Sequence, residues 1–264
     1  MKARGWRFSG TLALGAALAL STGCATLPSD TGPIPSSRPG LTDDTALVPL
    51  GSFQAELGVD GGRMAGEDFV SSELLLRYGL HRRVEARVAV ASFGGRGSDA
   101  PGQALEDLEV SLKLPLRVGG EGLLAPTLAL IPFASLPTGA DRLSSASVEP
   151  GALLAAEWDL DLGLGLGWTG NLGGTAAEGD DGRFLELFVG GGVGRALSDE
   201  VGIEVELVRT AGVGGNAPGV GLWHGALGLS WLVHRDAQLD AWGGYRKMGR
   251  SDGGFVGVGV SVRR

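Results

Sequence analysis

The chain has 264 residues, of which 48 are glycine and one is cysteine, and it carries a net charge of −8 at pH 7. A single cysteine excludes an internal disulfide. An acidic balance with no basic stripe excludes a phosphate-backbone partner, so no nucleic acid is expected.

Lys2, Arg4 and Arg7 form a basic start, and the apolar run over residues 11–20 follows it. That run is too short to cross a bilayer, so residues 1–23 read as an export signal peptide. The run ends Leu20-Ser21-Thr22-Gly23-Cys24, which resembles a bacterial lipobox with its leucine one place early. Cleavage there would leave Cys24 acylated and attached to lipid. Ordinary cleavage after Ala17-Leu18-Ala19 is the alternative. Ala25, where inner-membrane retention would want aspartate, implies sorting to the outer membrane of a Gram-negative cell. Residues 24–45 are dominated by Pro, Ser, Gly and Asp and have no periodic apolar positions. They are expected to be a flexible, lipid-anchored tether on the periplasmic side.

From there to the end, apolar and polar residues alternate. Phe53, Ala55, Leu57 and Val59 oppose Gln54, Glu56, Gly58 and Asp60. Leu74, Leu76 and Tyr78 oppose Glu73, Leu75 and Arg77, and Val84, Ala86, Val88 and Val90 oppose Glu85 and Arg87. In LEDLEVSLKLPL, residues 105–116, leucines and Val110 fill one face while Asp107, Glu109, Ser111 and Lys113 fill the other. Further strands are predicted over 125–136, 148–158, 160–168, 183–193, 201–210, 222–233, 237–245 and 255–262. Period-two alternation marks strands with one apolar face. About twelve strands of about ten residues match the length that a tilted membrane-crossing strand needs.

The connections are predicted to alternate in length. Short turns fall at 80–83, 119–121, 159, 198–200 and 234–236. Glycine-rich or polar loops fall at 61–68, 94–104, 137–147, 171–182, 211–221 and 246–254. Short inner turns and longer outer loops are the rhythm of an up-and-down outer-membrane barrel. The fold expected for residues 46–264 is therefore all-β, a closed up-and-down antiparallel transmembrane β-barrel with its apolar face toward lipid. Closure is required because an open edge in hydrocarbon leaves backbone groups unpaired. Trp223 and Trp231 share one apolar face, roughly 20 Å apart in height, and Trp158 and Trp168 are expected to mark opposite interfaces.

The polar faces then line a lumen. The candidates are Glu56, Glu73, Arg77, Glu85, Arg87, Asp107, Glu109, Lys113, Glu157, Asp161, Glu186, Glu204, Glu206 and Asp240. Charges of both signs there can pair and plug a narrow lumen, or line an open one. Catalysis finds no foothold. His81, His224 and His234 are scattered, no set has metal-ligand spacing, and the glycine runs near 190 and 213 precede no helix. No enzyme activity, cofactor or metal is expected.

Residues 104–116 (ALEDLEVSLKLPL), followed by residues 126–140 (PTLALIPFASLPTGA), resemble the phenol-degradation meta-pathway family of outer-membrane proteins, often called transporters. In that family a Gly-Asp-Leu strand leads to a second strand ending Leu-Pro-Thr-Gly. Asp107-Leu108 and Leu136-Pro137-Thr138-Gly139 match, while Glu106 replaces the glycine and the lipobox is a departure. The resemblance implies a barrel that passes small molecules, aromatic or hydrophobic ones among them. The function expected is a passive outer-membrane channel or uptake protein, whose partners are outer-membrane lipid, small-molecule solutes and the barrel-assembly machinery. The alternatives are a structural outer-membrane lipoprotein with a plugged lumen, which pairing of Glu85, Arg87, Glu109 and Lys113 across strands would favour, and a lipid hydrolase, which would need a hydroxyl beside His224.

Overall fold

The computed structural model describes residues 32–95, 102–120, 122–159, 164–179, 182–214, 217 and 221–264. Cys24 and Asp161 lie outside the described residues. Antiparallel strands run in sequence: β1 (Phe53–Met64), β2 (Glu67–His81), β3 (Val84–Gly95), β4 (Gly102–Leu105), β5 (Leu108–Arg117), β6 (Thr127–Leu136) and β7 (Glu149–Asp159). They continue through β8 (Leu166–Ala177), β9 (Phe184–Ala196), β10 (Val201–Val213), β11 (Leu222–His234), β12 (Ala237–Met248) and β13 (Ser251–Arg263). Apart from β4 with β5, each pairs with its neighbour in the chain, and β1 pairs with β13 to close the wall. The short β4 and β5 both pair with β3, β4 at Ser92–Gly94 and β5 at Glu85–Ala89, so together they fill one position of a closed 12-strand barrel.

The exterior is apolar and the interior polar. Val258 is 63% exposed and Val205 57%, whereas Arg77, Glu85 and Lys113 are 0% exposed. This inversion of the usual burial order is what a wall between lipid and a filled lumen requires. Leu112 and Leu116 face outward from the LEDLEVSLKLPL strand, and Lys113 between them is buried inside.

Four expectations about detail are corrected. The loops expected at 61–68 and 246–254 are ladder, closed by two-residue turns at Ala65-Gly66 and Gly249-Arg250. Ala65 and Gly66 have φ of 52° and 88°, and Gly249 has φ of 61°, the positive values that tight hairpin turns demand. The connection over 118–126, predicted to be a tight turn, is longer than either, so turn length does not alternate strictly. Strand β8 begins at Leu166 rather than 160 and runs through the glycines taken for a loop. Trp158 and Trp168 are directly opposite one another in the β7–β8 ladder, so they mark one level of the wall, not two.

The barrel end that carries the start of β1 and the end of β13 is termed proximal, the other distal. Residues 32–45, expected as a free tether, do not hang outside it. They lie in the lumen, with Ile34, Thr42 and Thr45 buried. Polar bonds to the wall hold them, which is why apolar periodicity gave no sign of their burial.

A positive charge on the outward face should be costly in proportion to its depth. Val205→Arg, midway along β10, should lower the unfolding free energy in lipid vesicles by about 2–4 kcal/mol, and Val213→Arg, at the strand's distal end, by about 0–1 kcal/mol. Equal costs in urea titrations would show that the exterior does not meet lipid.

Candidate functional site

The lumen is organised by the segment that precedes β1. At the proximal end Arg263 Nη2 donates to the Gly32 carbonyl at 2.8 Å, and Ile34 N donates to the Arg235 carbonyl at 2.8 Å. Arg263 Nε also binds Asp236 at 2.9 Å in the β11–β12 turn. That hydrogen bond, with the charge behind it, holds the Asp236 carboxyl below its usual range.

From there the segment circles the inside of the wall as a belt. Ser36 Oγ lies 2.7 Å from Ser261 Oγ of β13, and Ser37 N donates to Glu56 of β1 at 3.2 Å. Arg38 sits 4.4 Å from the centroid of the Trp242 ring of β12, with Nε 3.6 Å from Asp240. Pro39 faces Gly228 of β11, where a Cβ would come within 2.5 Å of its ring. The amides of Leu41 and Thr42 donate to Glu206 of β10. Asp43 N donates to Asn171 Oδ1 of β8 at 2.7 Å, and Asn171 Nδ2 donates back to the Asp43 carbonyl at 2.9 Å. Thr45 N donates to Glu157 of β7 at 3.1 Å. Lys113 of β5 pairs with Asp44 and donates to the Ala46 carbonyl at 3.0 Å. Val48 N donates to Glu85 of β3 at 2.6 Å, and Leu50 bridges to Gly79 of β2.

Wall carboxylates thus take the place of a neighbouring strand for a segment whose amides would otherwise be buried without acceptors. Inward glycines make the room. A Cβ on Gly58 would collide with the Arg38 guanidinium, and one on Gly259 would lie 2.7 Å from its Nε.

The densest knot is Arg77, fully buried on β2. Its Nε and Nη2 bind Glu85 at 2.7 and 3.0 Å, and Nη1 binds Glu56 at 2.8 Å. Nη1 also donates to the Pro35 carbonyl at 2.6 Å, and Nη2 to the Ala46 carbonyl at 3.2 Å. One planar guanidinium therefore ties three wall strands to both arms of the belt. Arg87 pairs with Asp43 at 2.9 Å. Arg87, Glu85 and Lys113 all engage the belt, and Arg87 Nε also lies 3.6 Å from Glu85 on its own strand. The pairing of these residues with Glu109 across strands that would favour a plugged lumen is not among the ion pairs of the described residues.

Distal to the belt lies a cavity of about 610 Å³, floored by belt residues Ser37 to Asp43. Glu73, Glu109 and Glu186 line it, together with Glu106, and none of the four has a cation within 4 Å among the described residues. The arginines of its lining are engaged: Arg246 Nη2 lies 3.3 Å from Asp60, and Arg246 also covers the rings of Phe69 and Phe255. Glu204 lies apart, with Glu157, in a smaller cavity of about 170 Å³ between β7 and β10.

Asp107 is corrected: it does not line the lumen. It sits between β4 and β5 and accepts from Gly139 N at 2.9 Å and Ser145 N at 3.0 Å. Burial works against its charge, but hydrogen bonds from Ser144, Gly139 and Ser145 outweigh that and hold its pKa below the ordinary value. Thr138 Oγ1 accepts from Leu108 N at 3.0 Å, and a Cβ on Gly139 would lie 2.6 Å from the Glu106 carbonyl carbon. The two motifs of the sequence are the halves of this one latch at the distal rim.

Sequence reasoning missed Arg38, Asp43, Asp44, Asn171, Asp60, Arg246 and Glu106. The signal that could have found the belt is the row of inward glycines, Gly58, Gly190, Gly228 and Gly259, which leaves volume that something must fill.

A profile of the family described as "Putative MetA-pathway of phenol degradation" matches residues 36–263. The structure is similar to an outer membrane channel from Pseudomonas putida F1, with a TM-score of 0.66 and 12% identity, covering 84% of this chain and 98% of that one. It is also similar to the NanC porin, with a TM-score of 0.57 and 14% identity over 78% of this chain and 98% of that one. The KdgM porin follows at 0.51 and 12%, with the same coverage of 78% and 98%. No curated protein matches the chain in sequence.

Removing Arg77 would strand two buried glutamates, a loss of about 3–5 kcal/mol for a broken buried ion pair. Arg77→Met should cost that much in urea titrations of folded protein, and Arg77→Lys should recover little, since an ammonium cannot span both carboxylates and both carbonyls. Full recovery by lysine would mean that charge alone, not the fork, holds the knot.

Proposed function

We propose, from the premise that this chain belongs to the phenol-degradation MetA-pathway family, that it is an outer-membrane channel passing small molecules by passive diffusion, without enzymatic activity. The observation that carries this reading is a closed wall enclosing a cavity of about 610 Å³ in which carboxylates outnumber free cations. Aromatic or hydrophobic compounds are among the solutes proposed, and the barrel-assembly machinery is the partner proposed for insertion. The belt forms the constriction. The neighbourhood of His224 supports the non-enzymatic part: its Nε2 accepts from Arg246 Nε at 3.2 Å, and its ring meets Phe255 edge-on at 4.9 Å, so its polar partner is an arginine rather than a nucleophilic hydroxyl.

The belt also favours a second reading, a structural lipoprotein with a plugged lumen. Conductance of the purified chain in planar bilayers decides between them. The channel reading expects current with a preference for cations or neutral solutes over anions, and a larger conductance after deletion of residues 34–48. Anion preference overturns the electrostatic assignment. Absence of current, together with unchanged uptake in a deletion strain, selects the plugged reading.

Lipid attachment at Cys24 completes the proposal. Gly32 is fixed at the proximal end of the barrel, and the eight residue steps from Cys24 to it can span about 26–29 Å when extended. That is enough to reach an inner-leaflet anchor. Cys24→Ala should abolish labelling by radioactive palmitate. A mature wild-type chain beginning at Leu20 and carrying no label would show that the lipobox reading is wrong.

A further inference from the structure

We infer that the distal cavity binds amphipathic organic cations, taking the apolar body against its β6–β9 wall and the ammonium beside the carboxylates at that wall's edges. This rests on the channel reading above and narrows its solute class.

The apolar wall is continuous over adjacent strands. Ile131 and Phe133 of β6, Leu153 of β7 and Phe188 of β9 all line the cavity. They stand beside glycines. A Cβ on Gly151 would collide with the Phe133 ring, one on Gly173 would lie 2.8 Å from Leu153 Cδ1, and one on Gly190 would lie 3.4 Å from Phe188 Cε1. The rings therefore lie down on bare backbone, leaving a broad apolar surface.

Each edge of that surface has a carboxylate. Phe133 pairs with Ser111 and Ser135 with Glu109, so Glu109 is the diagonal neighbour of Phe133 on the inner face of β5. Glu186 lies two residues before Phe188 on the same face of β9, opposite Thr175. Glu73 lines the cavity from β2.

The charge that remains for a ligand is negative. Arg38 lies 3.6 Å from Asp240, Arg87 is 2.9 Å from Asp43 and Arg246 is 3.3 Å from Asp60. Glu73, Glu109 and Glu186 have no such partner within 4 Å among the described residues. A weakly hydrated organic cation with a ring or alkyl body gains apolar burial and attraction in a partly screened space. An anion with the same body meets like charges and finds the guanidiniums occupied.

Titration calorimetry on the purified full chain in micelles tests this with three probes: benzyltrimethylammonium, tetramethylammonium and benzoate. Benzyltrimethylammonium should bind about tenfold or more tighter than tetramethylammonium, as burial of a phenyl group implies, and benzoate should give no saturable heat. Glu109→Gln and Glu186→Gln should each weaken benzyltrimethylammonium several-fold, and Phe133→Ala should bring its affinity down toward that of tetramethylammonium. Heat-modifiable gel mobility confirms that each variant is folded. Benzoate binding as tightly as the cation, or a folded Glu109→Gln/Glu186→Gln double variant with unchanged affinity, overturns the inference. Binding is read without transport, so a chain that conducts but does not bind defeats this inference alone. A chain that binds but does not conduct defeats the channel reading alone.

Discussion

The structure depends on the burial of Arg77. A guanidinium taken out of water is stable only if all its donors are satisfied and its charge is answered. Here the answer comes from Glu85 and Glu56 on the two flanking strands, and the remaining donors go to the carbonyls of Pro35 and Ala46. The two carbonyls belong to opposite arms of the belt, so Arg77 closes the belt on itself like a clasp. Glu85 and Glu56 each also accept a belt amide, from Val48 and Ser37. Wall and belt are therefore one polar network, in which removing any member leaves a partner stranded.

The wall was legible in the sequence because lipid imposes a pattern. Every outward position must be apolar, and strands alternate, so Leu57, Val205 and Val258 announce the fold through period two alone. The ends of strands were less legible. Gly61, Gly62, Gly253 and Gly254 look like loop, yet they pair in the β1–β13 and β12–β13 ladders; of these, the inward Gly62 and Gly253 sit where a Cβ would strike neighbouring backbone. A Cβ on Gly253 would strike the backbone of Arg63. The belt was illegible for a different reason. Its hold comes from main-chain amides and carbonyls, the hydroxyls of Ser36, Thr42 and Thr45, and three charged side chains, Arg38, Asp43 and Asp44, and main-chain groups look the same in every sequence. The charged candidates of the inner faces were placed by alternation, but alternation cannot say that most of them would meet the chain's own leading segment rather than each other.

Asp107 shows the limit of alternation in another way. It sits in phase with Glu109 and Lys113, but the strand is interrupted before it, and Glu106 N hydrogen-bonds Ala91 across the break. Phase carried across a break is not orientation. The carboxylate turns to the rim, where it fixes the Leu-Pro-Thr-Gly segment, and Glu106 lines the cavity. The rim above the cavity is thus held to the wall by a charged residue, and the volume below it keeps a defined mouth.

The belt has a consequence for the order in which the molecule is made. Ser36 meets Ser261 across 225 residues of chain, and Gly32 meets Arg263 across 231. These contacts join the segment ahead of β1 to the last strand, so the entropy of closing so long a loop must be met before they repay anything. They cannot form until every other strand has been laid down. The Arg77 clasp, made within the first three strands, can gather the belt early, whereas the seam between β1 and β13 and the belt's attachment to the last strand are settled together at the end. A chain cut short before β13 would lose both a strand and the anchor that keeps its own leading segment inside.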